Sequence, residues 1–309
     1  WNRPAFSWCY RTVPQDHAKG RELLLASGRV LGGGSSINSM IYHRGQPGDY
    51  DDWAAETGRP DWSWDRLLPY FRRSEQNENF DDPRLHGTEG LLNVMLLKRP
   101  APLSDAFVAA GRSLGYPVSR DLVADRIGFA RRQVTQRNGQ RWSSANAFLA
   151  PIERRANLQV LTESCVRRIL IENGRARGVE LEQGGEVRRA TARREVILSA
   201  GALATPKILM LSGIGDGAAL GALGIPVLHH APEVGRNLQD HISSTVGCTS
   251  PSIVPYGFSA RAIPRLMAEL GRYVTQRTGL LTTTSEAGAF IRTQGGDGRP
   301  DIQFSFVPA

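Results

Sequence analysis

Residues 28–38 read Gly28-Arg29-Val30-Leu31-Gly32-Gly33-Gly34-Ser35-Ser36-Ile37-Asn38. Three successive glycines remove the Cβ atoms that hold a ligand off the main chain and permit positive φ. The stretch is therefore unsuited to the middle of a helix or strand, and its N–H groups can converge on one anion such as a diphosphate. Ser35 and Ser36 offer hydroxyls, or a helix N-cap whose positive end faces that anion, and Asn38 reads as a buried polar residue closing the loop. Taken alone, the same composition also fits an ordinary turn.

A second stretch, residues 201–215, narrows the choice. It runs Gly201-Ala202-Leu203-Ala204-Thr205-Pro206-Lys207-Ile208-Leu209-Met210-Leu211-Ser212-Gly213-Ile214-Gly215, directly after the apolar run Val196-Ile197-Leu198-Ser199-Ala200. The run reads as a buried strand, Gly201 as the turn leaving it, and Thr205-Pro206 as an N-cap with proline at the first helical position. Ile208, Leu209 and Leu211 would be the packed face of a short helix ended by Ser212-Gly213. A strand, a glycine turn and a helix start again aim N–H groups at a ligand. Both stretches match the two signature patterns of the GMC (glucose-methanol-choline) flavoprotein oxidoreductases, and the chain resembles that family over nearly its whole length. Further family-like pieces are Arg44-Gly45 with Asp49-Tyr50-Asp51-Asp52-Trp53, then Trp62-Ser63-Trp64 leading to Pro69-Tyr70-Phe71. The last is Val234-Gly235-Arg236-Asn237-Leu238-Gln239-Asp240-His241.

The resemblance implies a mixed α/β (α+β) fold: part of an FAD-binding domain interleaved with part of a substrate domain that has an antiparallel sheet and helices. Residues 1–88 and 155–240 would belong to the former, 89–154 and 241–309 to the latter. It implies cofactor contacts from Arg29, Val30, Gly32, Gly33, Ser35, Ser36, Asn38, Ser39 and Met40, and from Val166, Ala200 and Gly201. Val166 takes the place of a valine that meets the adenine through its backbone, although on its own it reads as an ordinary strand residue. Some choline-oxidising relatives attach FAD through a histidine where this chain has Ile37, and an alkyl side chain forms no such bond, so non-covalent FAD is expected. The implied reaction is oxidation of a small-molecule alcohol to an aldehyde, with oxygen or a quinone as final acceptor. A catalytically silent fragment and, more remotely, a hydroxynitrile lyase on the same scaffold are the alternatives.

Relatives begin with a strand, a Gly-x-Gly-x-x-Gly turn and a helix for the adenosine diphosphate, and no such unit occurs here. Their catalytic histidine falls beyond the position of Ala309. An internal piece of a longer product is the expectation. The six histidines are His17, His43, His86, His229, His230 and His241, and none matches the catalytic position. His241 beside Asp240 reads as a structural pair more readily than as a base.

The net charge of +8 raises a nucleic-acid role, yet the arginines are dispersed, and pairs such as Arg167-Arg168 and Arg188-Arg189 read as a solvated sheet face. Cys9, Cys165 and Cys248 are widely spaced and odd in number, which argues against a disulfide framework or a metal site and for small buried residues. No apolar run is long enough for a transmembrane helix, so a cytoplasmic setting is expected, with association at a membrane surface left open.

Local patterns predict a helical, loop-rich start over residues 1–88, a strand over 91–96 and a helix over 104–114 begun by Ser104-Asp105. A meander is predicted over 166–171, 176–182 and 186–192, its turns marked by Asn173-Gly174 and Gly184-Gly185. A further helix is expected over 262–275, with Pro264 in its first turn, and an alternating strand over 301–309. Phe304 and Phe306 fit either core or a cavity wall. Glu286 reads as an exposed or capped carboxylate, or less simply as a partner for a cationic alcohol.

Overall fold

The computed structural model describes residues 3–249, 260–283, 285–294 and 298–308, which form a mixed α/β protein with several small sheets. They divide into two compact units, one from residues 1–155 with 248–309 and one from residues 156–247.

In the larger unit, the helix Pro47–Thr57 begins where Asp49 Oδ2 accepts the Gln46 N–H at 2.7 Å, with Pro47 in the first turn, and stops at Gly58 with φ 63°. Proline needs no helical partner in the first turn, and glycine tolerates the left-handed cap. The following helix, Trp64–Ser74, packs against it through Tyr50, Trp64 and Phe71, whose ring centroids lie 5.5 Å from Tyr50 in each case. Glu75–Asn77 then runs parallel to Leu92–Leu96, which pairs antiparallel with Gln133–Val134. A second sheet places Ala287–Ile291 between Gly128–Arg131 and Ile302–Phe306, all antiparallel. The helix Pro102–Ser113 covers this sheet, packing Phe107 and Val108 on Phe129, Ala289 and Ile291. Gly111 is required there, because a Cβ would overlap the Phe129 ring. Phe306 stacks on Phe107 at 4.8 Å and Phe304 on Phe129 at 6.2 Å, so both join the aromatic cluster, although Phe304 stays 40% exposed.

In the smaller unit, the predicted meander is present as Ser164–Glu172, Arg175–Gln183 and Glu186–Thr191, with the middle strand paired to both others. Asn173 and Gly174 have φ of 48° and 72°, the two positive values that a tight hairpin with matching twist demands. Arg168 bonds Glu180 at 3.0 Å on the solvated face, as alternation of charge on that face suggests. The helix Gly201–Leu211 lies on the meander, and its end is tied to it by Ile169 N–H donating to Ser212 Oγ at 2.8 Å.

Several sequence expectations are corrected. Residues 196–200 form no strand: Ile197 is 79% exposed, and the run pairs with no other strand among the described residues. Apolar β-branched content gives capacity to pair, but a strand exists only with a ladder partner. Thr205-Pro206 does not start the helix, which opens at Gly201 after Ala200; Thr205 Oγ1 instead accepts the Ala200 N–H at 3.2 Å, holding the entry turn. Leu211 is exposed, leaving Ile208 as the buried contact of that helix. The 104–114 helix starts earlier, with Pro102 in its first turn, because Ser104 faces inward to Glu286. Cys165 and Cys248 are exposed thiols and Cys9 is half-buried, so the small-buried-residue reading fails for the first two.

Candidate functional site

The 28–38 loop folds back on itself before it offers a surface. A Cβ on Gly28 would overlap the backbone of Gly33, and one on Gly32 would run into Ser36 Oγ. Gly32 and Gly33 take φ of 85° and 54°, and Gly33–Ser36 forms a 3-10 turn. Two glycines therefore serve the loop's own packing. Gly33 and Gly34 are different: a Cβ on either would meet nothing within 4 Å. Among the described residues, the N–H groups of Gly32 and Gly34 have no protein acceptor. Bare backbone with unspent donors is what close approach of a phosphate requires.

The serine hydroxyls do not face outward as the sequence suggested. Ser35 Oγ donates to the Gly32 carbonyl at 2.6 Å and accepts the Ser144 N–H at 2.9 Å, while Ser36 Oγ donates to the Leu31 carbonyl at 2.7 Å. They fix the turn that presents the glycines. Sequence reasoning missed the second clamp, Arg141. Its Nη1 donates to the Ser35 carbonyl at 3.0 Å and Asn38 Oδ1 at 2.8 Å, and its Nη2 to the Asn38 carbonyl at 2.8 Å. Burial lowers the pKa of this guanidinium, a cost offset by three charge-assisted bonds.

Asn38 is exposed rather than buried. Its Oδ1 also accepts the Met40 N–H at 2.9 Å, which leaves its Nδ2 hydrogens without a protein acceptor among the described residues. Met40 anchors the end of the loop: it has φ 61°, is buried with Met95 and Val134, and its carbonyl accepts the Thr135 N–H at 2.7 Å. Arg29 is pinned at the loop entrance by its N–H to the Phe6 carbonyl at 2.8 Å and by its guanidinium 4.9 Å from the Trp8 ring. The Val30 carbonyl accepts from Gly33 N–H, and Ser39 is half-buried.

These nine residues belong to the larger unit, whereas Val166, Ala200 and Gly201 belong to the smaller one. Val166 pairs with Leu181 in the meander. Gly201, with φ 87° and open space where a Cβ would sit, leads an 11-residue helix whose first two residues are exposed. That end carries unspent N–H groups and the positive pole of the helix.

Elsewhere in the larger unit a charged network is buried that no local sequence signal marks. Glu75 bonds Arg44 through Oε2, and its Oε1 lies 3.1 Å from His86 Nδ1. His86 Nε2 is 2.7 Å from Asp121 Oδ2. Asn77 Nδ2 donates to Glu75 Oε1 at 2.8 Å and to Gln133 Oε1 at 2.7 Å. Burial would lower the His86 pKa, but bonds to Asp121 and Glu75 outweigh it and raise it to about 9. Two cations then face two carboxylates, so the network is neutral with His86 protonated. This locks His86 into structure. His43 is the opposite case: burial first, then the charge of Arg132, pushes it down to about 4, and it stacks on Phe290 at 4.3 Å. His241 is exposed, 3.8 Å from Asp240. Glu286 is 1% exposed and accepts the Ala101 N–H and the Ser104 hydroxyl, the latter at 2.8 Å. Glu286 is thus a buried, hydrogen-bonded carboxylate, and the exposed reading does not hold.

A family model described as GMC oxidoreductase matches residues 12–243. The chain is 41% identical over 311 residues to an alcohol dehydrogenase [acceptor] of Pseudomonas putida, covering 99% of this chain and 56% of the relative. It is also 41% identical over 308 residues to the mitochondrial choline dehydrogenase of Homo sapiens, covering 98% of this chain and 51% of that protein. Among solved structures, pyridoxine 4-oxidase from Mesorbium loti superposes with TM-score 0.81 at 32% identity, over 98% of this chain and 56% of that one. An FAD-dependent oxidoreductase from Chaetomium thermophilum gives TM-score 0.82 at 28% identity, over 93% and 53%. The chain spans about half the length of the curated relatives it matches.

Proposed function

Because the chain belongs to the GMC oxidoreductase family, we propose that the protein oxidises an alcohol to an aldehyde with non-covalent FAD, and that the 28–40 loop and the Gly201 turn hold the cofactor. The observation that carries this is the bare Gly33-Gly34 surface with unspent N–H groups at Gly32 and Gly34, held rigid from behind by Ser35, Ser36 and Arg141. Such a surface fits a diphosphate, since rigid donors lose little entropy on binding. When bound, FAD supplies the acceptor for the hydride leaving the alcohol carbon, while the hydroxyl proton goes to a base. Asn38 Nδ2 would be a donor available to the flavin, and Arg141 keeps that amide oriented by occupying its oxygen. The Gly201 end stabilises negative charge through its helix pole. Ile37 offers no nucleophilic atom, so no protein–flavin bond forms there.

None of the six histidines is assigned as the base. His86 is held between carboxylates and His43 is a neutral stacked ring, and neither arrangement suits a group that must cycle its proton near neutral pH. The assignment of residues 1–88 and 155–240 to cofactor binding, and of 89–154 and 241–309 to the substrate side, is part of the same proposal, as is a cytoplasmic or membrane-surface setting. No described helix is long and apolar enough to cross a membrane. The alternative, that residues 1–309 alone are a catalytically silent fragment unable to hold FAD, is supported by the 196–200 run, which pairs with no strand among the described residues and exposes Ile197 and Ser199.

The full-length protein, purified and scanned for the visible flavin bands, tests the reading. FAD should be released into the filtrate on denaturation, and dye reduction should follow addition of choline or an aryl alcohol. A colourless protein that takes up no added FAD would sink the proposal, and flavin retained on the denatured chain would sink its non-covalent part.

A further inference from the structure

Arg132 is 4% exposed and sits between the Gly128–Arg131 and Gln133–Val134 strands. Its guanidinium lies over Gly288, where a Cβ would overlap it, and its Nη2 donates to the Phe304 carbonyl at 2.5 Å. Nε and Nη1 are buried with no hydrogen-bond partner among the described residues. An unpaired guanidinium in a dry interior costs several kcal/mol on general grounds, so the missing partner calls for an explanation. Beside it is a cavity of about 20 Å³, lined by Tyr42, His43, Arg131, Arg132, Phe290 and Gln303 among others. Space of that order admits one water-sized species.

The charges around the cavity are one-sided. Among the described residues, no carboxylate lines it. Arg131 is committed to Asp105, at 2.6 and 2.7 Å. Burial lowers Arg132 to about 10, which keeps it a cation at neutral pH, and His43 at about 4 is a neutral imidazole that neither adds to nor cancels that charge. Asp121 and Asp49 act on His43 from further off, and Asp121 is already engaged by His86. Neutral water in the cavity would satisfy the donors but leave the charge unbalanced. We propose that the cavity beside Arg132 is a binding site for a single halide-sized monoanion, chloride being the abundant candidate, taken by Arg132 Nε and Nη1 with the His43 N–H as a third donor.

The test replaces sodium gluconate by sodium chloride or bromide at fixed ionic strength and follows the melting temperature of the full-length protein. Chloride should give a saturating rise of a few degrees that gluconate, too large for the cavity, does not. R132M should abolish the rise and melt no lower than wild type in gluconate, since it removes the buried charge. Bromide-soaked crystals of the wild type should show an anomalous peak within hydrogen-bond distance of Nε and Nη1, a readout independent of how the variant folds. Equal melting in chloride and gluconate, an unchanged rise in R132M, or a cavity without an anomalous peak would each overturn the assignment.

Discussion

The two kinds of glycine in the 28–38 loop make opposite predictions at the level of single residues. Gly32 has φ 85° and no room for a Cβ beside Ser36 Oγ, so Gly32→Ala forces a left-handed alanine and displaces a side chain that holds the turn. We expect a loss of about 1–2 kcal/mol in urea unfolding. Gly34 has open space and no left-handed φ, so Gly34→Ala should leave stability within about 0.5 kcal/mol of wild type. In the flavin-binding protein the ranking reverses in meaning, because the added methyl stands on the bare surface: Gly34→Ala should weaken FAD retention at unchanged stability. Equal FAD titrations for Gly34→Ala and wild type would remove that surface from the cofactor site. The serines teach the converse, since their hydroxyls suit an anion by type yet are spent on the Gly32 and Leu31 carbonyls.

At the scale of elements, the start of the Pro102–Ser113 helix depends on a carboxylate 182 positions further along the chain from Ser104. Glu286 reaches back from the edge of the Ala287–Ile291 strand to the Ala101 N–H and the Ser104 hydroxyl, and so joins helix to sheet. Glu286→Ala should cost about 2–3 kcal/mol, since it leaves a buried N–H and hydroxyl unsatisfied, and Ser104→Ala only about 1 kcal/mol. Urea unfolding of the two variants checks the order, and a milder effect for Glu286→Ala would refute the cap. Such a contact is invisible in local sequence, which is why Ser104 itself looked like the cap. The meander, by contrast, was legible, because Asn173-Gly174 and alternating side chains act within a few residues. The 196–200 run shows the limit of the same logic: its apolar pattern is real, but pairing depends on a neighbour that pattern alone does not supply. The glycine loop was legible by type, and its clamp Arg141 was not, because a lone arginine 103 positions from Asn38 carries no local signal.

Within the larger unit as a whole, the charge balance of the buried Arg44, Glu75, His86 and Asp121 network sets how stability should vary with pH. Folding raises His86 from 6.5 to about 9, so the folded state binds a proton the unfolded chain has released. The associated stability is fully present below pH 6.5 and is lost as pH rises through about 9, where two carboxylates are left facing one guanidinium. For Glu75, burial alone would raise the pKa, but hydrogen bonds from His86 and Asn77 and the charge of Arg44 lower it below 4.5. Its share is present above pH 4.5 and lost as pH falls through the lowered folded value, so the two limbs bracket a plateau between about 4.5 and 6.5. The alkaline limb should amount to something on the order of 2–3 kcal/mol. His86→Gln keeps a polar side chain of similar reach and cannot titrate, so it should lower the plateau, leaving Glu75 and Asp121 facing only one cation, and flatten the alkaline limb. Urea unfolding of both proteins from pH 5 to about 10 separates these effects, and an alkaline limb of equal slope in His86→Gln would show that another group releases the proton.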